Sequence, residues 1–359
     1  MNYSYYKHKK GHWIHCLSVL LCLLSFIIFS LTGCGAWNFK QTKPAKDQEP
    51  CITKSSFLLN TVVSVQIYDK KEEALLDGCF SLIQKYSTIC SRTDKNSELY
   101  ALNHGTLPHN GLTYKVSKDL SDIMKYGLYY SKLSGGVFDI SIAPVSSLWN
   151  FTAEKPSLPS DKAITKALAY VNYKNITQNE DKITFSKKGV AIDLGGIAKG
   201  YIADRLKNYL MEHGVKSAVI NLGGNVLCIG RKPDGSPFHI GIQKPYADRN
   251  KTIAVMEISN QSVVSSGIYE RFFTIGGKSY HHILNPKTGY PYNNNIVSVT
   301  IISPLSVDGD GLSTTCFALG LKKGLALIES MPNTYAVFIT KDDVLHYSKG
   351  FQKAIPIVK

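Results

Sequence analysis

Between Thr61 and Ser87 the apolar residues change their period, and that change restricts the chain to folds in which helices lie on a sheet. Thr61-Val-Val-Ser-Val-Gln-Ile-Tyr68 alternates, placing Val63, Val65 and Ile67 on one face of a half-buried strand. Over residues 72–87, Leu75, Cys79, Leu82, Ile83 and Tyr86 recur at helical spacing instead. Residues 117–132 repeat that stripe with Leu120, Ile123, Met124 and Leu128, and Ser117 is placed to cap it. A third helix is predicted over 198–213, stopping at Gly214 in a left-handed cap, and a fourth over 310–328, broken near Gly320. Strands are predicted over 182–185 and 190–194 around Lys188-Gly189, and over 219–222 and 226–229 around Gly223-Gly224-Asn225. Residues 253–258, 271–275, 280–284, 296–302, 334–339 and 345–348 supply further strands, while 149–181, with Pro156 and Pro159, reads as surface wrapping. Mixed helices and strands joined by tight turns give an α+β class with largely antiparallel sheets.

Residues 1–33 read as an export signal: Lys7, Lys9 and Lys10 precede an apolar run over 17–31. The run ends in Leu31-Thr32-Gly33-Cys34, which resembles a bacterial lipobox with Cys34 as the lipidated mature N-terminus. An uncleaved anchor is the alternative, although about 15 apolar residues fall short of the ~20 that span a bilayer. Residues 34–54, rich in Lys, Gln, Pro and Glu, read as a tether, and 55–359 as one domain. The expected location is the extracytoplasmic face of the cell membrane, held by lipid. A net charge of +14 suits an anionic membrane face or acidic ligands, with a uniformly basic solvated surface as the plainer reading. No Lys/Arg cluster is interleaved with aromatics, which argues against nucleic acid. Cys51, Cys79, Cys90, Cys228 and Cys316 are odd in number and lack a C-x-x-C pair, so neither a disulfide framework nor a zinc site is expected, and all five read as small buried hydrophobes.

Asp310-Gly-Leu-Ser-Thr314 places a carboxylate and a hydroxyl four residues apart, on one side of what reads as a helix's first turn. That pair is half of a metal site, or alternatively an N-cap beside a surface threonine. Asp193-Leu-Gly-Gly-Ile-Ala-Lys-Gly200 is neither a P-loop nor a dinucleotide fingerprint. It reads as a strand-to-helix turn whose glycines and helix N-terminus could receive a phosphate. The two segments together suggest a phosphate-bearing ligand held with a hard cation, for which magnesium is suited. In Tyr280-His281-His282 successive strand residues face opposite ways, so one histidine is expected to face solvent.

Seven segments, in order, resemble the ApbE family of FAD:protein FMN transferases: Ser97-Glu-Leu-Tyr-Ala-Leu-Asn103; Gly135-Gly-Val-Phe-Asp139 with Ala143-Pro144 and Leu148-Trp149-Asn-Phe151; Asp193 to Gly200; Asn221-Leu-Gly-Gly224; Ser266-Gly-Ile-Tyr-Glu-Arg271; His282-Ile-Leu-Asn-Pro-Lys-Thr-Gly289; and Asp310 to Thr314. The resemblance implies a single T-fold-like α+β domain, FAD as substrate and Mg2+ as cofactor. It implies metal binding by Asp310, Thr314 and the Gly196 carbonyl, and FAD contacts from Leu59, Val137, Phe138, Asp139, Asp193, Lys199 and Leu284. His282 matches a histidine near the phosphates, and His282 or Asp310 would accept a proton. Two departures stand out: Asn285 where the family often has aspartate, and Leu59-Asn60-Thr61 in place of Met-Gly-Thr. The implied reaction attaches FMN to a Thr or Ser hydroxyl of an exported acceptor protein and releases AMP. A magnesium-dependent FAD pyrophosphatase and a non-catalytic FAD-binding lipoprotein are the rival readings.

Overall fold

A computed structural model describes residues 51–248 and 250–358. The signal segment and Cys34 lie outside these residues, as does the tether up to residue 50. The remainder of the expected tether is not loose chain, because Ile52–Leu58 is already a strand, paired antiparallel with Thr61–Ile67. Leu59 and Asn60 join the two with φ of 54° and 57°, the left-handed conformations of a tight two-residue hairpin.

These two strands open an eight-stranded sheet that continues through Ala218–Leu222, Asn225–Ile229, Ser262–Gly267, Ile296–Ser303, Tyr335–Thr340 and Leu345–Tyr347. Every neighbouring pair is antiparallel, and the strands follow one another across the sheet in chain order. The alternation at the start is realised: Val63, Val65 and Ile67 are fully buried. They face the helices Glu73–Cys90, Lys118–Leu133, Ala198–Glu212 and Ser306–Leu319 across one core. Each fully buried Val, Leu or Ile there contributes about 1.5–3 kcal/mol relative to exposure. The opposite sheet face, at Cys228, Val263, Ile302, Val337 and Ile339, is covered by the ribbon Phe238–Gln243 and Thr252–Ile258.

Helix limits follow their local signals. Ser117 caps Lys118–Leu133 by accepting the Leu120 amide at 3.2 Å, and Gly214 ends the third helix at φ 76°. Gly320, at φ 81°, breaks the last long stretch into Ser306–Leu319 and Leu321–Glu329. Two of the element predictions are overturned. Residues 149–181 contain the helix Asp161–Leu168, capped by Ser160, whose Ile164 and Ala167 pack into a cluster with Trp149, Phe273 and Tyr280. Residues 190–194 form no strand, because the Ile192 amide and carbonyl are both taken by the Asn103 side chain, at 2.7 and 2.8 Å. All five described cysteines are unpaired, but only Cys79, Cys228 and Cys316 are buried; Cys51 and Cys90 are half-exposed. No helix among the described residues is long and apolar enough to cross a membrane.

Candidate active site

Two helices that lack caps of their own cap each other. Neither Ile197, ahead of Ala198–Glu212, nor Leu305, ahead of Ser306–Leu319, offers a side-chain acceptor to the amides that follow. The Gly200 amide instead donates to Asp310 Oδ2 at 2.6 Å. The Ser306 and Val307 amides donate to the two oxygens of Asp204, each at 2.9 Å. Each helix thus satisfies orphan first-turn donors with a buried carboxylate of the other, where the N-terminal partial charge favours an anion. The approach requires glycine: a Cβ on Gly200 would fall on the Ser306 carbonyl oxygen, well inside contact distance. Asp310 is consequently in the second turn of its helix, not the first as the sequence suggested, and Asp308 is the first-turn acid.

Asp310 Oδ1 accepts from Asn225 Nδ2 at 3.0 Å, and the Ser306 hydroxyl, donating to Asn225 Oδ1 at 2.6 Å, fixes which way that amide faces. Thr314 Oγ1 is 3.3 Å from Ser266 Oγ, which is 2.8 Å from Ser313 Oγ. Burial raises the Asp310 carboxyl above the usual carboxylate range, against the opposing charge of Lys199 and its two hydrogen bonds. Among the described residues Asp310 forms no ion pair, and no three His, Cys, Asp or Glu residues cluster as metal ligands. A buried carboxylate short of compensating charge, with a half-buried hydroxyl one turn on, is an oxygen donor set suited to a hard cation completed by phosphate oxygens and water.

Phe138 is buried against Gly196, where a Cβ would come within 2.9 Å of its ring, and the Val137 carbonyl accepts from Tyr292 Oη at 2.9 Å. Asp139 uses both oxygens locally, accepting from the Ser141 amide and hydroxyl and from the Tyr173 amide. Asp193 is held by Arg92 at 2.9 Å, by the Ser146 hydroxyl at 2.8 Å and by the Gly195 amide. Leu284 is buried in the Trp149 cluster. Leu59 sits in the hairpin turn ahead of Thr61, which fills the space a Cβ on Gly223 would need. Asn225, which opens the strand after that glycine turn, donates to Asp310.

The two histidines face opposite sides as a strand requires, but neither is simply solvent-facing. His281 is buried edge-on to Phe317, with Nε2 donating to the Tyr292 carbonyl at 2.9 Å. His282 is half-buried beside Phe151, with Nδ1 3.3 Å from the Arg271 carbonyl. Burial pushes both imidazoles down to about 4, helped at His282 by Arg271. His281 therefore stays neutral in the fold while an unfolded chain, titrating at 6.5, binds a proton. Its contribution is present above pH 6.5 and lost as pH falls towards 4. In urea titrations the stability difference between wild type and His281→Asn should narrow by on the order of 3 kcal/mol over that range. A difference independent of pH would contradict a neutral buried His281.

The charge of Lys199 acts on both Asp310 and His282, so these three share one neighbourhood. Sequence reasoning did not find Asn225, Ser266, Asp204 or Arg92. Asp204 had a signal: it lies four residues after Gly200, hence on the same helix face. Asn225 and Ser266 fall in or beside segments whose glycines drew attention first. Nothing in the sequence singles out Arg92.

Residues 59–339 match the model of the ApbE family. The chain is 35% identical over 290 residues to an FAD:protein FMN transferase of Klebsiella pneumoniae, covering 80% of this chain and 89% of that one. It is 30% identical over 327 residues to one of Treponema pallidum, covering 85% and 89%. The fold is similar to the crystal structure of the ApbE protein of Thermotoga maritima, with a TM-score of 0.76 and 29% identity over 85% of this chain and 99% of that one. It is also similar to the flavin transferase ApbE of Vibrio cholerae, with a TM-score of 0.74 and 25% identity over the same shares. With the order of its glycine turns, the paired helices that seat Asp310 and the match over most of its length, the chain belongs to the ApbE family.

Proposed function

We propose that this chain is an FAD:protein FMN transferase that uses Mg2+ to move FMN from FAD onto a Thr or Ser hydroxyl of an exported acceptor protein, releasing AMP. The observation that carries the reading is the buried Asp310 carboxylate, bound by Gly200 and Asn225 yet lacking an ion pair, with Lys199 and His282 in its neighbourhood. Asp310, Thr314 and the Gly196 carbonyl would hold the ion, which when bound neutralises charge on the diphosphate. Phe138 packs on Gly196, and Lys199 adds a second positive charge.

Hydrogen bonding supports one of the two candidates, His282 and Asp310, as the proton acceptor. His282 Nδ1 faces the Arg271 carbonyl and so carries the proton, leaving Nε2 with a free lone pair on a ring that is neutral at pH 7. Both Asp310 oxygens already accept bonds. His282 has the free lone pair to receive the acceptor's proton, and Asp310 is the better anchor for the cation. Lipidation at Cys34 would place this chemistry on the extracytoplasmic membrane face, where an exported acceptor is met.

The test mixes the purified chain with FAD, Mg2+ and a candidate exported acceptor, reading in-gel flavin fluorescence after denaturation and AMP by chromatography. Fluorescent acceptor with matching AMP, both reduced to background by EDTA, is the expected result. Free FMN with AMP would make the protein a pyrophosphatase, and intact FAD would leave it a binding protein.

A further inference from the structure

The segment Ser266-Gly-Ile-Tyr-Glu-Arg271 leaves the central strand beside the Thr314 hydroxyl and enters the ribbon of Phe272–Ile275 and Lys278–His281 at its end. Phe272 pairs with His281 in that ribbon, and the His282 amide donates to the Arg271 carbonyl at 3.1 Å. Arg271 and His282 are therefore the next cross-strand pair, and their side chains leave on one face. Phe273 and Tyr280 share that face and are covered by Trp149. Phe151 covers Phe273 as well and meets His282 edge-on, so Arg271 and His282 stand where the aromatic cover stops.

Arg271 is exposed, and among the described residues its guanidinium has neither an ion pair nor a hydrogen bond. Lys199 is unpaired in the same sense, and the charges of both reach His282. Two cations act on a neutral ring, and the Arg271 guanidinium, which has no partner of its own, is free to take a bound anion. A planar guanidinium matches phosphate oxygens in two-pronged fashion, which an ammonium cannot do.

We propose that Arg271 is a further catalytic residue, binding the diphosphate of FAD opposite Lys199's charge and stabilising the phosphate that leaves. This rests on the transferase reading above. As the acceptor oxygen bonds to the flavin-side phosphorus, its proton passes to His282 Nε2. The bond from that phosphorus to the bridging oxygen breaks, and the bridging oxygen departs with the electron pair as part of AMP. The negative charge gained by AMP then lies within reach of Arg271.

The experiment titrates FAD and riboflavin separately into the full chain without acceptor, following flavin fluorescence at two salt concentrations, for wild type, Arg271→Ala and Arg271→Lys. Arg271→Ala should bind FAD about 10–100-fold more weakly, with a shallower salt dependence, while riboflavin affinity and Tm stay at wild-type values. Arg271→Lys should recover part of the loss. Unchanged FAD affinity in Arg271→Ala beside a wild type that binds FAD would overturn the role of Arg271 alone. So would a parallel loss of riboflavin binding, which would mark a structural residue. A wild type that does not bind FAD would remove both this role and the transferase reading.

Discussion

Asp310→Ala is expected to lower AMP release from FAD by about a thousandfold, the scale on which a single preorganised charge acts in a water-excluded site. The substitution removes the carboxylate proposed to hold the cation, and it strands two buried donors, the Gly200 amide and the Asn225 side chain. Each stranded donor costs about 1–3 kcal/mol, so Tm should fall as well. Asp310→Asn separates the two effects. It keeps the volume and one acceptor oxygen but turns an NH2 towards the other donor, so part of the stability should return while turnover does not. AMP release by chromatography and Tm by circular dichroism measure the two. Wild-type turnover in either variant would take Asp310 out of the chemistry.

Gly200→Ala should do comparable damage through the backbone. The added methyl meets the Ser306 carbonyl and the Val307 backbone, none of which can rotate aside as a long side chain could. Accommodating it means separating two packed helices and lengthening the Gly200 bond to Asp310, together with the Asp204 bonds to Ser306 and Val307. A loss of about 3 kcal/mol or more is expected, a Tm decrease of roughly 5 °C or more for a chain of this size. Turnover should fall even at temperatures where the variant remains folded. A variant with unchanged Tm would show that the helices can part without strain.

Much of this architecture could be read from spacing alone, and the failures have physical causes. Period-two and helical stripes located Thr61–Ile67, Glu73–Cys90 and Lys118–Leu133, because their apolar faces meet one core and solvent lies opposite. Ser262–Gly267, a central strand, was missed because its pattern is written in serines. Serine hydroxyls find partners there, the buried Ser262 on Ser306 and the half-buried Ser265 on Thr300 and Ser266 on Ser313, so polarity does not mark exposure. Asp161–Leu168 was hidden by flanking prolines and by being only two turns long. At the site, Asp310 and Thr314 were recognisable as a pair, but their depth in the helix was not. That depth is set by Asp204, which stands in for a cap that residue 305 does not supply, and a cap borrowed from a distant helix leaves no trace in local sequence.

The longest insertion in the chain-order sheet runs from Tyr68 to Ser217, between its second and third strands. Closing Val63 against Leu222 therefore shuts by far the longest loop in the sheet, at an entropic cost that grows only slowly with length. A ribosome that has delivered residues up to 217 has made Arg92, Asp139, Asp193 and Lys199 but neither His282 nor Asp310. The pairing of Gly200 with Asp310 forms only after the last third emerges and Ser306–Leu319 docks on a helix made about a hundred residues earlier.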